Sequence, residues 1–302
     1  MSHLPVMLNE VLECLAVTDK KVFVDCTFGA GGYSSGMLRK AECKVIGIDQ
    51  DPTTKKYADK MVELYGERFD YINGNFREIG RLLEPYGAVD GVVYDLGVSS
   101  MQLDETVRGF SFQTNAKLDM RMSLAGKGAY EIINESTEEE LADILYYYGD
   151  EPAARRIASK IIAARVLEPI ETTFQLASII RSVIRKRGKI DSATKSFQAI
   201  RIAVNDELGA IKNSLIQVQD VLKIGGRIVV VSFHSLEDRI IKKFFHDNAE
   251  IKIAKSKYAK LDLEQSKSFR LISKKSIKPT RSEIIVNPRA RSARLRVMER
   301  VR

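Results

Sequence analysis

The chain has 302 residues, 44% hydrophobic and 29% charged, which excludes a disordered chain and allows one large domain or two modest ones. The formal net charge is +8, but residues 251–302 carry 16 Lys/Arg against 4 Asp/Glu, whereas residues 1–250 carry 32 against 36. The positive excess is thus confined to the C-terminal end, which suits either a polyanionic partner, nucleic acid first, or a solvated basic tail.

No basic-then-apolar start is present, so no signal peptide is expected, and no apolar run approaches the roughly 18 residues of a membrane helix. Cys14, Cys26 and Cys43 share no Cys-x-x-Cys spacing, so neither a disulfide framework nor a structural zinc site is expected. Reduced thiols in a cytoplasmic protein are the expectation.

Strand and helix patterns alternate through the first hundred residues. Lys21–Cys26 is a β-rich run that stops at Thr27-Phe28-Gly29-Ala30-Gly31-Gly32, and a helical stretch follows. Further strands are predicted at Lys44–Ile48, Phe69–Ile72 and Val89–Tyr94. Such alternation implies a parallel sheet with helices on both faces. Between about 113 and 205 the pattern turns helical. Ser136 and Glu139 predict one capping box, and Thr172 and Gln175 a second. The helix after Thr172 is expected to end at Arg185-Lys186-Arg187-Gly188. Phe197, Ile200, Val204, Leu208, Ile211, Leu215, Val218 and Leu222 share one helical face and predict a single long helix. Gly225–Phe233 reads as a strand, Ser235 starts a helix, and 250–268 reads as a Lys-rich loop. Phe269–Ser273 and Ala293–Val297 are late strand candidates. The expected organisation is an α/β domain, residues 1–112 and 206–302, interrupted by a helical insertion at 113–205.

A Gly-rich turn between strand and helix brings backbone N–H groups close to a ligand. Ser34 stands at the third glycine position of G-x-G-x-x-G, which counts against a dinucleotide enzyme. Asp49 ends the second strand, where a carboxylate can accept both ribose hydroxyls, and Asp95 ends the fourth. Gly31, Gly32, Asp49 and Asp95 together suggest a nucleoside cofactor, with S-adenosylmethionine and NAD both open at this point.

Longer stretches are more specific. They include TFGAGG at 27–32, DLGVSS at 95–100, RGFSF at 108–112, FQAIRI at 197–202, SFHSLEDR at 232–239 and NPRARS at 287–292. On these, the sequence resembles the bacterial 16S ribosomal RNA cytosine-N4 methyltransferases, the MraW or RsmH family, from about residue 3 to 300. The resemblance implies a Rossmann-like S-adenosylmethionine-dependent methyltransferase fold with an inserted all-helical domain that recognises RNA. It implies methylation of the exocyclic N4 of a cytidine in the decoding region of 16S rRNA within the small ribosomal subunit. It also implies a cofactor site of Gly31, Gly32, Tyr33, Asp49, Phe76, Asp95 and Gln102. Tyr33 departs from the family's usual His, Met101 from Pro, Asp150 from Glu, and Asp191-Ser192-Ala193-Thr194-Lys195 from a His-Pro-Ala-Thr-Arg run.

Methyl transfer from a sulfonium is an in-line displacement that needs mainly positioning and electrostatics. The N4 lone pair is delocalised into the ring, so acceptors beside the amino group help it react. No Asp/Asn-Pro-Pro-aromatic tetrapeptide is present; Asp95-Leu96-Gly97-Val98 occupies that place, which makes Asp95 the candidate catalytic group. Asp119, Glu237 and Asp238 are further carboxylates, with Asp119 able to pair with Arg121 and Asp238 to cap the helix at Ser235. His234 could serve as a base, although a methylated N4 sheds its proton readily. Candidate phosphate contacts are Arg155, Arg156, Arg185, Arg187, Arg289, Arg291, Arg294 and Arg296. The competing readings are a non-catalytic ribosome-assembly RNA-binding protein, an NAD-dependent oxidoreductase and a DNA amino-methyltransferase.

Overall fold

The computed structural model describes residues 4–184, 191–250 and 268–302. The chain divides into two compact units, one running to Gly97 and resuming at Leu208, the other spanning Val98–Glu207. Residues 98–112, expected with the sheet, thus belong to the helical unit.

The first unit is built on a seven-stranded sheet. Its strands are β1 (Val22–Asp25), β2 (Lys44–Asp49), β3 (Phe69–Asn73), β4 (Val89–Asp95), β5 (Leu222–Ser232), β6 (Phe269–Leu271) and β7 (Arg294–Arg300). The order is β3-β2-β1-β4-β5-β7-β6. The five strands β1 to β5 are parallel, and β7 runs antiparallel between β5 and β6. Parallel strands are covered on both faces, so they read as continuous apolar runs. Accordingly Val92 and Tyr94 enter one core cluster and Val93 the other, as Ile228 and Val230 alternate with Val229 and Val231. Helices Leu8–Cys14, Gly32–Lys40 and Lys55–Tyr65 supply the first cluster; Ile79–Leu83, Glu207–Val221 and Ser235–Asn248 supply the second. The strand order reverses direction between β1 and β4, which is where an open parallel sheet forms a ligand crevice at its carboxyl edge.

The helical unit packs Ala129–Glu135, Glu138–Gly149, Ala154–Leu167, Thr173–Val183 and Thr194–Asn205 around its own apolar core. Asn205 ties the non-helical stretch before them to the last helix: its Nδ2 donates to the Met120 carbonyl and its Oδ1 accepts the Met122 N–H, both at 2.8 Å.

Several expectations are corrected. The long helix is two helices, because Asp206 sits at φ +45°, a left-handed conformation that Asp tolerates better than most residues. Leu222 belongs to β5, not to that helix. The capping box expected from Ser136 and Glu139 is one residue later, with Thr137 accepting the Glu140 N–H at 3.2 Å. The Thr172 box forms as expected, but its helix ends at Val183. The basic run 185–188, including Arg185 and Arg187, lies outside the described residues, as do 251–267. Helix Leu8–Cys14 was not anticipated.

Candidate active site

The site is assembled at the carboxyl ends of neighbouring strands in the first unit. After β1 the chain turns through Gly29 at φ +53° and Gly31 at φ +78° before helix Gly32–Lys40 begins. A side chain at Gly31 would be doubly penalised, by the left-handed backbone and by the Phe28 ring, 2.9 Å from where its Cβ would lie. A Cβ at Gly32 would meet Pro5 at 2.9 Å. The first-turn N–H groups, including those of Gly32 and Tyr33, have no intrahelical carbonyl to bond. The Tyr33 ring is 3% exposed, and its hydroxyl donates to the Val6 carbonyl at 2.5 Å. Its side chain is therefore committed to the core, which leaves the backbone as what it can offer a ligand.

Asp49, ending β2, accepts the Gly29 N–H at 2.7 Å and the Asp51 N–H at 2.8 Å, one on each carboxylate oxygen. Each oxygen keeps a further lone pair for a hydroxyl donor. Asn73 Nδ2 donates to the Asp49 carbonyl at 2.9 Å, joining the ends of β2 and β3. Phe76 follows β3 and stands edge-on to Tyr94, ring centroids 5.6 Å apart. It is half-buried, so part of the ring is available as a face for a flat ligand. Asp95 ends β4; its N–H donates to Thr27 Oγ1 at 2.6 Å, while its Oδ1 is buried without a hydrogen bond. Gln102 lies in the helical unit, where its side chain accepts the Ser99 N–H at 3.0 Å in a capping box.

Sequence patterns overlooked Asp25. It ends β1, is 1% exposed, and accepts from the Ser34 hydroxyl at 2.8 Å, the Ser34 N–H at 3.2 Å and the Thr27 N–H at 3.3 Å. An acid closing an otherwise apolar strand was the available signal. Fully buried Glu237, after β5, adds a fourth carboxylate.

Burial drives the electrostatics. It pushes Asp25 up to about 6, against the pull of its Ser34 and Thr27 hydrogen bonds. It raises Asp49 to about 7, with Asp51 and Asp25 adding repulsion. It raises Asp95 to about 8, with help from the charges of Asp25 and Glu237. A bound cation offsets such repulsion, and a sulfonium is a cation. Among the described residues, no three His, Cys, Asp or Glu side chains converge as metal ligands.

Asp119, Asp238 and Lys195 are engaged within the fold. Asp119 forms a two-pronged pair with Arg121 (2.8 and 2.9 Å), as anticipated. Asp238 does not cap its helix; it pairs with Arg294 at 2.9 Å and Arg296 at 2.7 Å, two positions on the same face of β7. The cap is closed by Glu237 instead. Lys195 donates to the Asp150 carbonyl at 2.9 Å, sealing the end of helix Glu138–Gly149. Arg155, Arg156, Arg289 and Arg291 are exposed.

A doubly wound sheet, a left-handed glycine turn entering a helix, and acids closing successive strands define an α/β protein that binds a nucleoside cofactor. The MraW methylase family matches residues 1–301, and the chain belongs to it. Its cofactor is S-adenosylmethionine, and the residues present fit that group: left-handed glycines at the turn, an orphaned carboxylate oxygen, and an acidic surround for a sulfonium. The chain is 52% identical over 301 residues to ribosomal RNA small subunit methyltransferase H of Orientia tsutsugamushi (strain Ikeda), covering 97% of this chain and 96% of that one. It is 50% identical over 304 residues to the protein of the same name from Rickettsia massiliae, covering 99% and 98%. An rRNA methylase of known structure from Streptococcus thermophilus has a TM-score of 0.42 at 9% identity, covering 100% of this chain and 99% of that one. The fold class rests on the strand order, not on that likeness. No helix among the described residues is long and apolar enough to cross a membrane.

Proposed function

We propose that the protein methylates the exocyclic N4 of a cytidine in the decoding region of small-subunit ribosomal RNA, with the helical unit contributing RNA recognition. The names of its relatives support ribosomal RNA of the small subunit as substrate. The observation that carries the chemistry is Asp95: a carboxylate at the switch point of the sheet with one buried oxygen lacking any hydrogen bond.

S-adenosylmethionine supplies, when bound, a methyl carbon on a positively charged sulfur. Gly31, Gly32 and the Tyr33 backbone would hold it at the helix start, Asp49 at the ribose hydroxyls and Phe76 against the adenine. Gln102, the other residue that the family resemblance implies, belongs to the helical unit. Asp95 accepts a hydrogen of the target amino group, drawing N4 towards a pyramidal geometry and exposing its lone pair. Flipping the base out of its stack costs a few kcal/mol, which phosphate contacts offset. Arg289 and Arg291 next to the sheet's last strand, and Arg155 and Arg156 on the helical unit, supply exposed positive charge for those contacts.

The test is transfer of label from S-adenosylmethionine to unmodified small ribosomal subunits, followed by nucleoside mass spectrometry. N4-methylcytidine is expected. Label in a carbon-methylated pyrimidine, or bound cofactor with no label in RNA, contradicts the proposal.

A further inference from the structure

The loop leaving β5 carries groups that the reaction above has not used. His234 is the N-cap residue of helix Ser235–Asn248, and Glu237 occupies the third helical position at 0% exposure. Oε2 of Glu237 accepts the N–H of Phe233 at 2.8 Å and of His234 at 3.2 Å. Oε1 lies 2.9 Å from Nε2 of His234, without the alignment of a hydrogen bond. Nδ1 of His234 and Oδ1 of Asp95 are likewise buried with no hydrogen bond. The segments that carry them adjoin: the Leu96 N–H donates to the Val231 carbonyl at 3.0 Å. A Cβ at Gly97 would lie 3.9 Å from both Oε1 of Glu237 and the Phe233 ring. A buried polar atom left unbonded forfeits the hydrogen bonds that water would give it. Several such atoms together at a ligand edge call for a ligand that satisfies them.

We propose that His234 is the second acceptor for the target amino group, its Nδ1 holding one N4 hydrogen while Asp95 holds the other, with Glu237 as the positioning residue that fixes the imidazole tautomer. This rests on the methyl-transfer function proposed above. A carboxylate oxygen 2.9 Å from a bare imidazole nitrogen would repel its lone pair, so the ring proton belongs on Nε2. Nδ1 is then a pure acceptor. Two acceptors flanking one position select an amino group and reject a carbonyl oxygen, and hence select cytosine over uracil. In the transfer the N4 lone pair forms the bond to the methyl carbon, and the carbon–sulfur bonding pair leaves with sulfur. The proton on the His234 side passes to Nδ1, giving an imidazolium beside Glu237.

Glu237→Gln tests this with little change of shape. Its amide oxygen still closes the capping box, but its NH2 donates to Nε2 and drives the ring proton to Nδ1. The turnover number is expected to fall about ten- to a hundred-fold, by more than any change in S-adenosylmethionine affinity, with wild-type melting temperature. His234→Ala is expected to fall similarly, and His234→Asn, which places an acceptor oxygen near the Nδ1 position, to recover part of the loss. Nitrogen-15 NMR of the three histidines supplies a readout apart from activity: Nε2–H at His234 in the wild type, Nδ1–H in Glu237→Gln. Wild-type turnover in Glu237→Gln, a loss tracking cofactor affinity or melting, or an Nδ1–H tautomer in the wild type would each overturn the inference. A wild type that forms no N4-methylcytidine removes the functional proposal and this inference with it. N4-methylcytidine formed normally by the wild type and by both His234 variants removes this inference alone.

Discussion

Asp95 has a buried oxygen without a hydrogen bond and a carboxyl pushed up to about 8 by burial and by the neighbouring acids. In the cofactor-free protein at neutral pH it therefore holds a proton, and the arrival of a cation next to it drives that proton off. Asp95→Asn keeps the shape and a carbonyl acceptor but removes the charge. Methyl transfer is expected to drop by about a hundred-fold, the scale of a lost preorganised electrostatic contact. The cofactor-free protein is expected to melt no lower, because the amide, like the protonated carboxyl it replaces, brings no charge into the buried site. Single-turnover transfer and calorimetric melting check the two halves; full turnover at normal cofactor affinity would show that Asp95 is not the acceptor. Asp49 and Asp95 were legible in the sequence because each closes an apolar run at a strand end. Asp25 carried the same signal but fell inside a run read as continuing to Cys26, whereas the strand ends at Asp25; Glu237 looks like an ordinary capping acid until its burial is known.

Among the elements, the turn between β1 and its helix is the least tolerant of change. Gly31→Ala is expected to cost about 1–2 kcal/mol from the left-handed backbone alone, with a further loss of cofactor affinity as Phe28 is displaced. Denaturant unfolding and cofactor titration separate the two. Asp238 holds helix Ser235–Asn248 to β7 through Arg294 and the largely buried Arg296. Breaking a buried pair typically costs about 3–5 kcal/mol, and since Arg294 is half-exposed, Asp238→Ala is expected near the lower end in urea unfolding. Parallel strands were legible because double-sided burial makes them uniformly apolar. The break at Asp206 was not, because the apolar period runs on across a single residue of opposite backbone hand. The capping box was misplaced by one residue because Ser136-Thr137 followed by Glu138-Glu139-Glu140 offers the same pattern in two registers.

Over the whole molecule, charge is sorted. Acids gather at the strand ends and basic residues crowd the C-terminal end, yet part of that basic excess is already engaged in the fold. Arg270 and Arg227 meet Glu299, Arg302 meets Glu250, and Arg300 donates to the carbonyls of Gln219 and Leu222. Net charge alone therefore overstates what is free for RNA. RNA affinity is expected to fall with salt, and Arg291→Ala to lower the slope of log affinity against log salt by about one. Arg294→Ala is expected to change that slope less, since Asp238 already holds its charge.

The strand-end acids give the most direct test, because Asp25, Asp49 and Asp95 must act as parts of one cofactor cradle. Asp25, Asp49 and Asp95 keep their protons up to about 6, 7 and 8, whereas an unfolded chain would release them near 3.8. The cofactor-free fold thus binds more protons than the unfolded chain, and its stability declines as pH rises across that interval. A sulfonium favours the ionised carboxylates, so binding expels protons. The decisive measurement is calorimetric titration with S-adenosylmethionine across that pH range, alongside S-adenosylhomocysteine, which shares every group except the charged sulfur and its methyl. Affinity for S-adenosylmethionine is expected to strengthen with rising pH through the range and then level off, with a smaller change for S-adenosylhomocysteine and proton release confirmed in buffers of different ionisation heat. Affinities that stay flat, or that change in parallel for both ligands, would contradict a cradle built from the strand-end carboxylates.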